Sequence, residues 1–322
     1  MGMAAAPDGS VYIADSGNHR IRKLTPDGRV ETVAGSGVAG SADGPALSAT
    51  FRTPVDVAVG PDGTVYVVDA DAGQVRQIRD GQVRTIAGVD YAACRLAFQQ
   101  RTPIPFGCPA SIAQVPHRDG AGTAAVFNQP ASVAVASSGD LFVADASNQV
   151  IRRIDREGYV STYAGGVGQP GNADGPLQEA RFFFPVDLVL DSSGRLYLTE
   201  GSRVRLIDPV GGVSTVAGSR AEGFQATGYA EGEGVAAKFN AVAGLAMLPD
   251  RSVILADSQN QRIRFLAPDG TVSTIAGKGG QGIATGPGPT AQFSLPVSVV
   301  LLSDGTILVS DYNLNRVFQI SK

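Results

Sequence analysis

The sequence predicts an all-β protein, a six-bladed β-propeller with four antiparallel strands per blade. Two observations carry this prediction. An alternating run that ends in an acidic residue recurs along the chain, as SVYIAD to Asp15, TVYVVD to Asp69, DLFVAD to Asp145, RLYLTE to Glu200, SVILAD to Asp257 and TILVSD to Asp311. The copies stand about 55 residues apart, with one longer interval between Asp69 and Asp145, and a fixed period of this length marks a repeat architecture. Each copy also belongs to a unit of short runs rich in Val, Ile, Thr and Tyr, separated by PDG- or SSG-type turns, which read as strands joined by hairpins.

Within a unit the first strand is apolar, as in VDVAV (55–59), SVAVA (132–136) and VDLVL (186–190). A tight turn leads to the second strand, which ends at the acid. A polar loop follows, then a third strand of the RIRKL type, and another turn leads to a fourth such as VETVAG, VRTIAG or VSTIAG. The result is a single propeller domain with blades over about 2–50, 51–127, 128–182, 183–239, 240–293 and 294–322, and an inserted loop at about 89–118. The sixth unit reaches its third strand, NRVFQISK, without a fourth-strand motif. Either sequence upstream of Met1 completes it, which is the expectation, or blade 6 is three-stranded. An open edge would otherwise invite association.

Crossovers between units share a second pattern, DGPALSATF (43–51), DGAGTAAVF (119–127), DGPLQEARF (174–182), EGEGVAAKF (231–239) and TGPGPTAQF (285–293). Phe51, Phe127, Phe182, Phe239 and Phe293 are expected as wedges between blades, where an aromatic ring buries a large apolar area. An aromatic shelf for a ligand is the alternative.

The apolar first strand, the P-D-G turn, the acid and then D-x-x-N-x-x-I-R (DSGNHRIR, DASNQVIR, DSQNQRIR) together resemble the NHL repeat, and the resemblance covers essentially the whole chain. Blades 4 and 6 depart from it, through EGSRVR and DYNLNRVF. The resemblance implies a propeller used mostly to recognise partners, with a minority of enzymes; related six-bladed folds include sugar lactonases and an amidating lyase. Fold alone does not choose among these.

Asp15, Ser16 and His19 lie close enough in sequence to raise a hydrolytic triad or a small metal site. Asp15, Asn18 and Arg22 recur at 145, 148 and 152 and at 257, 260 and 264, so they read as scaffold. The acid is expected to accept hydrogen bonds from the backbone of the loop after it, and the Arg to pair with carboxylates between blades. His19 has no histidine counterpart and stays a candidate ligand-binding residue.

Functional residues are expected on the face bearing the acid-containing loops, the top, where loops are free to vary. Aligning the innermost strands places Gly2, Asp56, Ser132, Asp187, Gly244 and Ser298 around the mouth of the central channel. Asp56, Ser132, Asp187 and Ser298 could hold a divalent cation, a hard one such as Ca²⁺ or else Zn²⁺, with Asp56 and Asp187 as its carboxylates, or ordered water. An ion there would let a lactonase-like enzyme polarise a carbonyl and activate water. The amidating-lyase site relies on several histidines, and this chain has only His19 and His117.

The insertion supplies the other candidate ligand contacts, Tyr91, Phe106, His117 and Arg118, and holds the only cysteines, Cys94 and Cys108. A disulfide between them would contribute roughly 3 kcal/mol and would place the protein in the periplasm or outside the cell; two free cytosolic thiols are the other reading. MGMAAAPDGS carries no signal-peptide pattern. No apolar run approaches the roughly 20 residues of a spanning helix. A net charge of −4 gives no global basic field for nucleic acid. The function expected is a monomeric, non-catalytic module that binds a protein, peptide or glycan through its top face. A metal-dependent hydrolase or lactonase is the main alternative, and an RNA-binding propeller the second.

Overall fold

The computed structural model describes residues 2–91, 117–220 and 227–320, which form six antiparallel sheets arranged as blades. Blade 1 comprises Met3–Ala5, Val11–Asp15, Arg20–Leu24 and Val30–Ala34, and blade 2 comprises Pro54–Val59, Val65–Asp69, Gln74–Arg79 and Gln82–Ala87. Blade 3 runs through Pro130–Val135, Leu141–Asp145, Val150–Ile154 and Tyr159–Ala164. Blade 4 follows with Asp187–Leu190, Leu196–Glu200, Arg203–Asp208 and Gly212–Gly218, and blade 5 with Val242–Met247, Val253–Asp257, Arg262–Leu266 and Thr271–Ala276. Blade 6 has three strands among the described residues, Pro296–Leu301, Ile307–Asp311 and Arg316–Ile320. The first strands pack in sequence around the axis, and that of blade 6 meets that of blade 1. In blades 2, 3 and 5 the crossover adds a short fifth strand at the outer edge, Gly44–Pro45, Gly120–Ala121 and Gly232–Glu233.

Second strands such as Leu141–Asp145 are buried along their whole length because neighbouring blades cover both faces. The cores therefore lie between blades. Phe182 sits in a cluster with Phe142 and Ile151 of blade 3 and Leu188, Leu196 and Ile207 of blade 4; Phe51 likewise joins Ala14 and Ile21 of blade 1 to Val57 and Val65 of blade 2. All five repeat phenylalanines are at most 2% exposed, so they are wedges and offer no shelf to a ligand.

Arg76, Arg152, Arg205 and Arg264 are fully buried, and three of them pair as expected with a carboxylate of the crossover between blades, Arg76 with Asp43, Arg152 with Asp119 and Arg205 with Asp174. Arg152 donates to Asp145 of the adjacent strand at 2.9 Å, to Asp119 of the entering crossover at 2.6 Å, and to the carbonyls of Val126 and Arg118. Its guanidinium lies 5.1 Å from the centre of the Phe127 ring, a cation–π contact repeated in Arg76–Phe51, Arg205–Phe182 and Arg264–Phe239. In blade 6 Phe318 takes the arginine's register, opposite Val309, and packs edge-on against Phe293.

The acid ending the second strand accepts a backbone N–H of the following loop in blade 6, where Leu314 donates to Asp311, and departs from that expectation in blades 2 and 3. Asp69 and Asp145 accept backbone N–H groups from the segment before the first strand, from Arg52 and Thr53 and from Asn128. The following loop contributes instead the Asn148 side chain. The acid thus pins the top of its own innermost strand, because its side chain points across the blade rather than along the chain.

Candidate functional site: the channel mouth and its funnel

The innermost-strand residues that the alignment puts at the mouth do come together, and each reaches into the next blade. Asp56 accepts the Val133 N–H at 3.0 Å. Ser132 accepts the Leu188 N–H at 3.2 Å and donates to Asp187 at 2.7 Å. Asp187 accepts the Leu245 N–H at 2.9 Å, and Ser298 accepts the Met3 N–H at 3.2 Å. The two remaining steps around the ring are made at glycines. Gly2 donates directly to the Val55 carbonyl at 2.8 Å, and a Cβ there would lie 2.1 Å from Asp56 Oδ1. A Cβ on Gly244 would lie 2.6 Å from the Ser298 Cα, so only glycine lets blades 5 and 6 approach this closely.

Burial, followed by the charge of Asp187, pushes the Asp56 carboxyl up to about 7. Asp187 is also raised, chiefly by burial, while the hydrogen bond from Ser132 pulls the other way. A carboxyl near 7 can exchange a proton at neutral pH. As cation ligands the pair is less suited. Both oxygens of Asp187 and one of Asp56 already accept N–H or O–H donors, and among the described residues no group of three or more His, Cys, Asp and Glu is placed to hold a metal ion.

Above the ring lies a funnel of about 380 Å³ walled by Val55, Ala131, Phe184, Val186, Ala243 and Val297, with Asp56 and Asp187 at its floor. Phe184 is 43% exposed and Phe183, beside it, 68%. Sequence reasoning missed this pair, although a signal was present. The two residues after the wedge phenylalanine are Arg52 and Thr53, Asn128 and Gln129, Asn240 and Ala241, and Ser294 and Leu295 in the other blades. Only blade 4 has two aromatics there, next to its shortened EGSRVR loop.

Among the described residues, the remaining candidates do not line the funnel. His19 Nδ1 donates to the Arg52 carbonyl at 2.6 Å and Ser16 donates to the Pro54 carbonyl, so both tie blade 1 to blade 2 and form no triad. His117 is hydrogen-bonded to Thr162 at 2.9 Å on the outer edge of blade 3, where burial lowers its pKa. Arg118 is exposed on the same crossover and donates to the Ala124 carbonyl. Tyr91 is half-buried at the start of the insertion. Phe106, Cys94 and Cys108 lie outside the described residues, and with them the proposed disulfide.

The NHL repeat family matches residues 2–24 and 127–153. Among curated proteins the chain is 28% identical over 290 residues to Teneurin-m of Drosophila melanogaster, covering 85% of this chain and 10% of that protein. It is 25% identical to NHL repeat-containing protein 2 of Bos taurus, covering 80% of this chain and 37% of that one. The chain thus spans a minor part of these relatives. Among solved structures, an auxiliary nutrient binding protein from Bacteroides thetaiotaomicron VPI-5482 superposes with a TM-score of 0.68 at 13% identity, over 99% of this chain and 68% of that one. A streptogramin B lyase superposes with a TM-score of 0.57 at 11% identity, over 99% and 91%. At such identities the likeness is one of fold.

Proposed function

We propose that this NHL-repeat six-bladed β-propeller is a non-catalytic binding module that takes a protein, peptide or glycan ligand in its top funnel. The observation that carries the reading is Phe184 in the wall of a concave site, with exposed Phe183 beside it, in positions that are polar or aliphatic in the other blades. Exposed aromatics at a pocket edge are the usual anchors of recognition. The fold shared with a nutrient-binding protein is consistent with it.

Peptide and glycan arrays probed with the native protein and with the double variant Phe183→Ser/Phe184→Ser test this. Ligands selected by the native protein are expected to bind the variant at least about 30-fold more weakly, the effect of losing an aromatic anchor. Ligands that bind both forms equally contradict the assignment.

A cation-dependent hydrolase centred on Asp56 and Asp187 is the second reading. The near-neutral Asp56 carboxyl favours it. It requires a divalent ion to compete with the backbone N–H groups of Val133 and Leu245 for the same carboxylates.

A further inference from the structure

Blade 6 keeps the frame of a fourth strand, although its sheet has three strands among the described residues. In blades 2 to 5 a glycine of the entering crossover, Gly44, Gly120, Gly175 or Gly232, pairs with a valine near the start of the fourth strand, Val83, Val160, Val213 or Val272. These glycines have φ of 135°, 153°, 141° and 136°, and Gly286, their counterpart in the crossover to blade 6, holds the same geometry at 151°. A backbone angle that glycine alone adopts with ease is kept where no described strand meets it. Two positions on, Ala46, Gly122 and Gly234 donate their N–H groups to Gly81, Gly158 and Gly270, just ahead of the fourth strands. Gly288, in that place, has no such acceptor among the described residues.

Facing Gly286 is the third strand, Arg316–Ile320, paired on its inner side with Ile307–Asp311. Between crossover and strand lies a slot of about 520 Å³, walled by Gly286, Pro287 and Gln292 on one side and Phe318, Gln319 and Ile320 on the other. Phe318 and Ile320 are half-buried, whereas Arg152 and Ile154, at the same registers of blade 3, are buried beside Thr162 and Val160 of its fourth strand. The other blades therefore show what covers this edge. With the crossover walling its outer side, the slot takes a single extended segment rather than the sheet edge of a second folded copy. All five V-x-T-x-A-G runs of the chain, at 30–35, 83–88, 160–165, 213–218 and 272–277, already serve their own blades, so the segment that fits here is a partner's. One position differs. In blades 2, 3 and 4 the threonine of the run donates to the crossover acid, Asp43, Asp119 or Asp174, which also holds the repeat arginine. Blade 6 has Thr285 in place of the acid and Phe318 in place of the arginine, which favours an apolar side chain at that position.

We infer that the outer edge of blade 6 is a second binding site, distinct from the top funnel, for an extended segment of a partner protein with the pattern V-x-V-[VI]-A-G, which adds to the blade as its fourth strand. The probes are the N-acetylated, C-amidated peptides TVSVIAG, TVSTIAG and TVPVIAG, titrated into ¹⁵N-labelled protein while backbone amide shifts and hydrogen exchange are followed. TVSVIAG is expected to give saturable shifts in 286–288 and 316–320 and to slow exchange along that edge. TVSTIAG, which sets a hydroxyl against Phe318, should bind roughly fivefold more weakly. TVPVIAG lacks an N–H for the ladder and should give no saturable shift. In Thr285→Asp/Phe318→Arg, which restores the pair found in blades 2 to 4, the preference should turn toward TVSTIAG. Outward amides of 316–320 that are already protected in the peptide-free protein, showing another segment in place, would overturn the inference. So would no saturable shift with TVSVIAG, equal binding of TVPVIAG, or shifts confined to the top face.

Discussion

Replacing Arg152 with alanine is expected to destabilise the protein by about 3–5 kcal/mol, the cost of leaving a buried charge without its partner. The Arg152 side chain is fully buried, and so is that of Asp145. Burial already raises the Asp145 pKa against the opposing pull of Arg152, so the carboxylate depends on that cation. The substitution also strands the crossover carbonyls of Val126 and Arg118 and removes the cation from the Phe127 ring. Arg153, next in sequence but exposed and paired with Asp140, is the control; Arg153→Ala should cost at most about 1 kcal/mol. Urea unfolding of the two variants checks this. Equal losses would mean that the buried network contributes no more than a surface ion pair. Blade 6 shows how the scaffold dispenses with the arginine: Phe318 fills its place, and Asp311 is held by the N–H groups of Ser294, Leu295 and Leu314.

The second large effect is expected at the channel mouth. Asp56 has a folded-state pKa of about 7 against an ordinary value of 3.8, so the folded protein holds this proton more tightly than the unfolded chain. The associated stability is fully present below about pH 4 and is lost as pH rises through about 7, a change of the order of 4 kcal/mol. Asp56→Asn keeps an oxygen to accept the Val133 N–H and cannot ionise. The variant should therefore be more stable than the native protein at about pH 8, should lose that advantage toward pH 4, and should flatten the profile between them. Thermal unfolding across this range decides it; a variant equally destabilised at both ends would show that Asp56 is needed as a charged group.

The blades, their wedges and the ring at the channel mouth were legible in the sequence because each is repeated, and a repeated residue reveals its register by alignment. The partners of the repeat residues were less legible. The acid of VADASN lies close in sequence to the following loop, yet its backbone donor is Asn128, seventeen positions earlier, because the two strands bring the loop back over it. The role of the crossover aspartates was likewise hidden, since Asp119 meets Arg152 and Thr162 only once the crossover lies along the outer edge of its blade. Phe183 and Phe184 were visible as letters, but an aromatic pair directly after a core phenylalanine reads as more core. Only the structure separates the buried ring of Phe182 from its two exposed neighbours.

The central claim is that Asp56, Ser132, Asp187 and Ser298 stitch blades together and leave recognition to the aromatic funnel above them. Elemental mass spectrometry of protein purified without chelator or affinity metal tests it most directly. The account predicts no stoichiometric metal in the native protein and none in Asp56→Asn. About one equivalent of Ca²⁺ or Zn²⁺ in the native protein, lost in Asp56→Asn, would contradict it and make the channel mouth a metal centre.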